Sequence, residues 1–176
     1  MTEPVRDPEI EAMLTDEVKS WIGRTTELLT IPEEVSASDL RRYLDATGDT
    51  NPLWTSDEAA RAAGYRARIL PPMMVLDLGW RLYNTESGRI WVKIPLPSTF
   101  SEVRNGGMEV EWFAPMYLGD RLSVRHRIKD IAVKRGRRGI AAYINRETDH
   151  LNQHGTLLAR VDATAVRLPR ARLEDN

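Results

Sequence analysis

The alternation of apolar and polar residues changes period once along this chain, near Phe100. Upstream, apolar positions recur at helical spacing. Between Pro8 and Ile22 they fall at Ile10, Met13, Leu14, Val18, Trp21 and Ile22, and Gly23 follows as a stop, so the pattern predicts a helix. Thr25–Ile31 (TTELLTI) is β-branched, short and ended by Pro32, which predicts a strand. Ser36 or Ser38 can cap a helix through Thr47, with Leu40, Tyr43, Leu44 and Thr47 on one face. The next stretch, GDTNPLWTSDEAARAAGY, is a loop rich in turn formers, followed by an Ala-rich helical turn from Ser56 to Ala63. Met73–Tyr83 (MMVLDLGWRLY) is apolar almost all round and is introduced by Pro71-Pro72, as a helix buried on most sides should be. Asp77 is the odd residue there, and a hydrogen bond to nearby backbone is expected of it.

Downstream of Phe100 the period is two. Met108, Val110 and Trp112 alternate with Glu109 and Glu111. Leu122, Val124, His126 and Ile128 alternate with Ser123, Arg125, Arg127 and Lys129. Leu157, Ala159, Val161 and Ala163 alternate with Leu158, Arg160, Asp162 and Thr164. These patterns predict antiparallel strands with one face buried, and Gly136 and Gly155 mark two hairpin turns. The expected fold is α+β: an antiparallel sheet wrapped around one central apolar helix. One domain over 1–176 is expected, ordered from about 9 to 168. Such a sheet has open edges, and pairing with another copy or a relative would protect them.

Composition removes several classes of function. Lys+Arg number 25 against 26 Asp+Glu, so no overall field marks a nucleic-acid or anionic-membrane partner. There is no cysteine, which excludes disulfides, thiolate metal sites and a cysteine nucleophile. No apolar run is long enough to span a bilayer, and the polar start lacks a secretory pattern, so a cytoplasmic location is expected. Of the three histidines, His126 falls on an apolar strand face and reads as core. His150 and His154 flank a turn and read as solvent-exposed, and their spacing would suit a metal only on a helix, so no metal is expected. The basic run Lys134, Arg135, Arg137, Arg138 reads as a solvated hairpin tip, although guanidinium forks would also suit the phosphates of coenzyme A.

The stretch Ala46–Trp54 (ATGDTNPLW) resembles the hydratase signature of the MaoC-like hot-dog proteins, the enoyl-CoA hydratases and 3-hydroxyacyl dehydratases. DEAARAAGY, ILPPMM and EVEWFAPMYLGDRL resemble the pieces that follow it in that family, in the same order, so the resemblance covers most of residues 20–168. It is strongest to the N-terminal, dehydratase-like half of two-part hydratases. The resemblance implies a hot-dog fold and a CoA or carrier-protein thioester as substrate, with no further cofactor. In the family an Asp and a His five residues later hold the water that adds to an unsaturated thioester, one taking a proton while the other delivers one. Asp49 and Asn51-Pro52 stand at their motif positions, but Trp54 occupies the His position, and an indole cannot take up a proton near neutral pH. Where active relatives carry a Gly whose N–H stabilises the thioester oxygen, this chain has Pro71-Pro72, without an N–H.

The resemblance therefore implies no catalytic residue of this chain's own. It implies a non-catalytic subunit that shapes the acyl cavity for a partner carrying the Asp and the His. Trp54, Pro72, Met73, Met74, Leu76, Arg137 and Arg138 are its candidate substrate contacts. The alternatives are a homodimeric hydratase using Asp49, a hot-dog thioesterase, and an acyl-CoA-binding protein without turnover.

Overall fold

The structure, a computed structural model, describes residues 7–137 and 139–170. The N-terminal segment forms two short helices, α1 (Pro8–Met13) and α2 (Asp16–Lys19), instead of the single helix expected over Pro8–Ile22. The break is at Thr15, whose extended backbone and hydroxyl cap α2 by accepting from the Val18 N–H at 3.2 Å. The expected strand over Thr25–Ile31 shortens to β1 (Leu29–Thr30), with a single bridge from Thr25 to Arg127. Helix α3 (Ala37–Thr47) starts at a capping box between Ser36 and Asp39, and hydrogen bonds to Ser36 hold the Asp39 carboxyl below its usual range. Two short helices follow, α4 (Pro52–Thr55) and α5 (Asp57–Ala62), and then the central helix α6 (Pro72–Tyr83).

Four long strands complete the chain: β2 (Glu102–Trp112), β3 (Ser123–Gly136), β4 (Gly139–Leu151) and β5 (Leu157–Leu168). With β1 they make one antiparallel sheet in the order β1-β3-β4-β5-β2. The pleat sorts charge to one face. Arg125, Arg127, Lys129, Glu147, Asp149, Arg160 and Asp162 interlace there as ion pairs, among them Arg160 Nε to Asp149 Oδ1 at 2.8 Å. The opposite face receives α6 and the N-terminal helices, in two apolar clusters. One gathers Leu40, Leu70, Met74, Val75, Leu78, Leu122, Val124 and Leu158; the other gathers Val18, Phe100, Ile128, Ile131, Val133, Ala142 and Ile144. Full burial of each such side chain stabilises the fold by about 1.5–3 kcal/mol. Among the described residues no helix is long and apolar enough to cross a membrane.

Two expectations fail on the sheet. The first is that the Met108–Val110–Trp112 face is buried. It is not: β2 is exposed along nearly its whole length, with Met108 at 56% and Trp112 at 42%. The helix rests on β3 and β4, on the other side of β5 from β2, and among the described residues the apolar face of β2 stays largely exposed. The second is the exposure of His150, which is buried at 4% beneath α6. Its placement depends on Gly79. A Cβ at that position would stand 2.4 Å from His150 Nε2 and 3.4 Å from Val124 Cγ1, so only glycine lets the helix come this close. Gly79→Ala should therefore cost about 1–3 kcal/mol in urea unfolding, the usual penalty for overpacking. In a His150→Ala background the same change should cost much less, and equal costs in the two backgrounds would refute the clash.

Candidate functional site

The GDTNP loop is held open by its own side chains. Gly48 ends α3 in the left-handed region at φ 65°, and its N–H donates to Leu44 C=O. Asp49 Oδ1 then accepts from the Asn51 N–H at 3.1 Å, and Asn51 Oδ1 accepts from the Leu53 N–H at 2.9 Å as the cap of α4. These are bracing bonds, and Asn51 has its architectural use here. Trp54 sits half-buried on α4 against the cluster of Leu40 and Leu70, its indole Nε1 buried without a hydrogen-bond partner. Asp49 and Trp54 line one open depression of about 850 Å³ together with Leu40, Leu44 and Arg68. Burial, and after it the carboxylates of Asp77 and Asp49, push the Tyr43 phenol above its ordinary range. Asp77 itself is exposed, and among the described residues its carboxylate makes no hydrogen bond to nearby backbone, contrary to expectation.

The other candidates do not gather round Trp54. Pro72 lines a separate depression of about 240 Å³ with Tyr65, Val75 and Phe113. Met74 is a core residue at 3% exposure and offers a ligand nothing, whereas Met73, one position earlier, is 53% exposed. Leu76 borders a third, smaller space under the helix. Arg137 is exposed at the β3–β4 turn, the far end of β3 from Val124 and α6, roughly 40 Å away at 3.3 Å per residue. Arg138 lies outside the described residues. Nearby, Arg135 is already paired with Asp7, Nε to Oδ2 at 2.7 Å, and with Glu9, so that end of the sheet is no open phosphate cradle beside the motif. At the start of α6, Pro72 has no N–H and the Met74 amide turns back to Pro71 C=O at 2.9 Å; the Met73 amide alone in that turn has no backbone acceptor among the described residues.

A polar band separates the two apolar clusters. Arg146, Thr148 and His150 take three successive helix-facing positions on β4, and His126 pairs with Thr148 from β3. His126 Nδ1 and Thr148 Oγ1 are 2.9 Å apart, while His126 Nε2, His150 Nδ1, Arg146 Nε and Trp91 Nε1 are buried without partners. Desolvation, reinforced at His126 by the Arg146 cation, lowers both imidazoles to about 4, so they are neutral at pH 7.

A family model described as "FAS1-like, dehydratase domain region" matches residues 20–161. The chain belongs to this family. It is a MaoC-like hot-dog protein of the hydratase and dehydratase class. A "UPF0336 protein" of Streptomyces avermitilis is 33% identical over 113 residues, covering 64% of this chain and 72% of that one. A "probable enoyl-CoA hydratase alpha subunit" of Thermomonospora curvata is 26% identical over 152 residues; the match takes in 81% of this chain and 48% of that protein. Among solved structures, the ChsH1-ChsH2 complex from Mycobacterium tuberculosis superposes with a TM-score of 0.76 at 19% identity, covering 88% of this chain and 90% of the matched one, a likeness of fold.

For this MaoC-like chain the motif loop was legible in sequence and the polar band was not. His126 stood out within an alternating strand, but Arg146, Thr148 and His150 lie in the run INRETDHL, which is polar on both faces. The signal that could have found them is their spacing by two, in a strand that must sit between two half-apolar neighbours.

The band makes the fold sensitive to mild acid. Both histidines have folded values of about 4 against an unfolded value near 6.5, so the unfolded chain binds more protons between these limits. Their contribution is fully present above pH 6.5 and drains away as the pH falls toward 4, by up to about 1.4 kcal/mol per pH unit for each histidine. Urea unfolding at pH 7 and pH 5 should show the loss, and His150→Asn should remove about half of the slope. Equal stability at the two pH values would contradict neutral, buried imidazoles.

Proposed function

We propose that this chain is the non-catalytic half of a two-chain enoyl-CoA hydratase or 3-hydroxyacyl thioester dehydratase. The observation that carries the reading is Trp54 at the position of the water-activating His. An indole N–H donates only, so the residue at the His position cannot take a proton from water at neutral pH. Asp49 is already engaged in bracing the loop through the Asn51 N–H. The Met73 amide could still polarise a thioester oxygen, yet an oxyanion donor without a base adds no water. What this chain offers is shape: the Trp54 ring beside Leu40 and Leu44 forms a wall for an apolar acyl group.

The bare apolar face of β2, together with Met73 and Trp80 on α6, supports a partner of the same fold completing the sheet. The Thermomonospora relative named as an alpha subunit and the two-component Mycobacterium complex agree with that arrangement. In this reading the partner carries the Asp, the His and the oxyanion N–H, and no group beyond the CoA or carrier-protein thioester takes part. A cytoplasmic setting fits a thioester substrate.

The isolated chain should hydrate crotonyl-CoA only at trace rates, because absence of a positioned acid–base group costs ~100–10,000-fold. A turnover near ten per second, ordinary for an enzyme, would overturn the reading in favour of a self-sufficient homodimer.

Within the reconstituted complex, Asp49→Ala should leave kcat nearly unchanged and cost ~1 kcal/mol of stability through the loop. Trp54→Ala should shift kcat/KM toward longer acyl groups, by about fourfold for each methylene newly buried at ~0.8 kcal/mol. Assays with a short and a long thioester separate the outcomes. A uniform collapse of kcat on losing Asp49 would make Asp49 catalytic and end the proposal.

A further inference from the structure

The polar band under α6 encloses a space of its own. About 70 Å³ lies between Leu76, Gly79, Trp80 and Tyr83 of the helix and Met108, His126, Arg146, Thr148, His150 and Val161 of the sheet. That is room for a few waters or for one carboxylate with its first carbon atoms. Its floor is polar and its mouth apolar, since Trp80 and Met108 at the rim are 58% and 56% exposed.

The floor is short of an acceptor. Arg146 forms no ion pair among the described residues. Its guanidinium lies 4.8 Å from the Tyr83 ring centroid and 5.1 Å from that of Trp91, and donates to the Tyr83 hydroxyl, which leaves Nε unused. Among the described residues, five buried side-chain polar atoms lack a hydrogen-bond partner, and four of them belong to this neighbourhood: Arg146 Nε, Trp91 Nε1, His126 Nε2 and His150 Nδ1. Two of these only donate, and the two imidazole nitrogens can take the donating tautomer beside a fixed positive charge. A half-buried guanidinium whose Nε is sealed from solvent without an acceptor is poorly compensated, and an anion with two oxygens would complete it. The charged residues of the opposite face cannot supply it, because Glu147 and Asp149 point away from α6 and are held by Arg127 and Arg160.

We propose that this slot binds the carboxylate end of an apolar chain. Arg146 would take the two oxygens, with His126 and Thr148 beside them. The hydrocarbon would leave between Trp80 and Met108 and run along the exposed stripe toward Trp112. The site borders the last two turns of α6, apart from the GDTNP loop, and does not rest on the hydratase reading. Where a partner covers β2, the tail would lie between the two chains.

The test is calorimetric titration of the purified full chain at pH 7 with submicellar decanoate, with decanol as the uncharged control and acetate as the tailless one. Trp80 and Trp91 provide a fluorescence readout at the site. Decanoate should bind saturably and at least tenfold more tightly than decanol, and acetate should bind too weakly to measure. Arg146→Gln should abolish the preference for the acid over the alcohol. Met108→Trp, at an exposed position that folding does not depend on, should narrow the mouth and weaken decanoate at least tenfold. Should Arg146→Gln fail to fold, the Met108 variant decides alone. Absence of saturable decanoate binding, equal affinity for acid and alcohol, or indifference to Met108→Trp would overturn the proposal.

Discussion

The approach of α6 to the sheet at Gly79 is the contact on which the rest of the molecule is arranged. A helix lying on a pleated surface is held off by its own side chains, and here one of its residues has none, over His150 and Val124. That lets Met74, Val75 and Leu78 reach the apolar cluster at one end of the helix while Tyr83 meets His126 edge-on, 5.4 Å between ring centroids, at the other. Because the helix is committed to β3 and β4, it leaves β2, at the far side of β5, exposed on the same face. The slot under Trp80 and the bare stripe on β2 are two results of that one offset.

Local features of the chain carried most of the architecture. The capping serine before α3, the prolines before α6 and the alternating strands past Phe100 each state their conformation within a few residues. Features decided by partners in space did not show. The break at Thr15 follows from a hydroxyl that prefers a backbone amide to solvent. The exposure of Met108 and Trp112 depends on where a helix from elsewhere in the chain lands, which alternation cannot report. His150 reads as a turn residue beside Asn152 and becomes a buried one only through its cross-strand neighbours. For the candidate site, the sequence marked Trp54 in the motif loop and Arg137 at a hairpin tip, but not that Met74 would be sealed in the core or that the tip would stand so far from the loop.

Trp54 at the position where the resemblance places a His bears on what the loop can be used for, not on how it is built. Asp49, Asn51 and Pro52 still make the turn, because their bonds to backbone amides are indifferent to what occupies position 54. A bulky ring can then take the vacated polar space at little cost, since the loop around it is already rigid. The motif loop thus keeps its scaffold with an indole in place of an imidazole, and under the proposed reading a partner chain would dock on the surface that α6 leaves open.

The strand order also bears on how the chain reaches this state. Strands β3, β4 and β5 form a meander joined by short turns, so their ladders close small loops. Strand β2 precedes them in the chain yet pairs only with β5, about 45 residues beyond its own end. Closing so long a loop is entropically slower than zipping a hairpin, which favours the meander forming first and β2 docking onto its free edge afterwards. On a ribosome the same order is imposed more strictly, because β5 emerges last and β2 must wait for it. Until then the nascent β2 segment has both edges unpaired, so the interval most exposed to mispairing lasts until β5 has emerged.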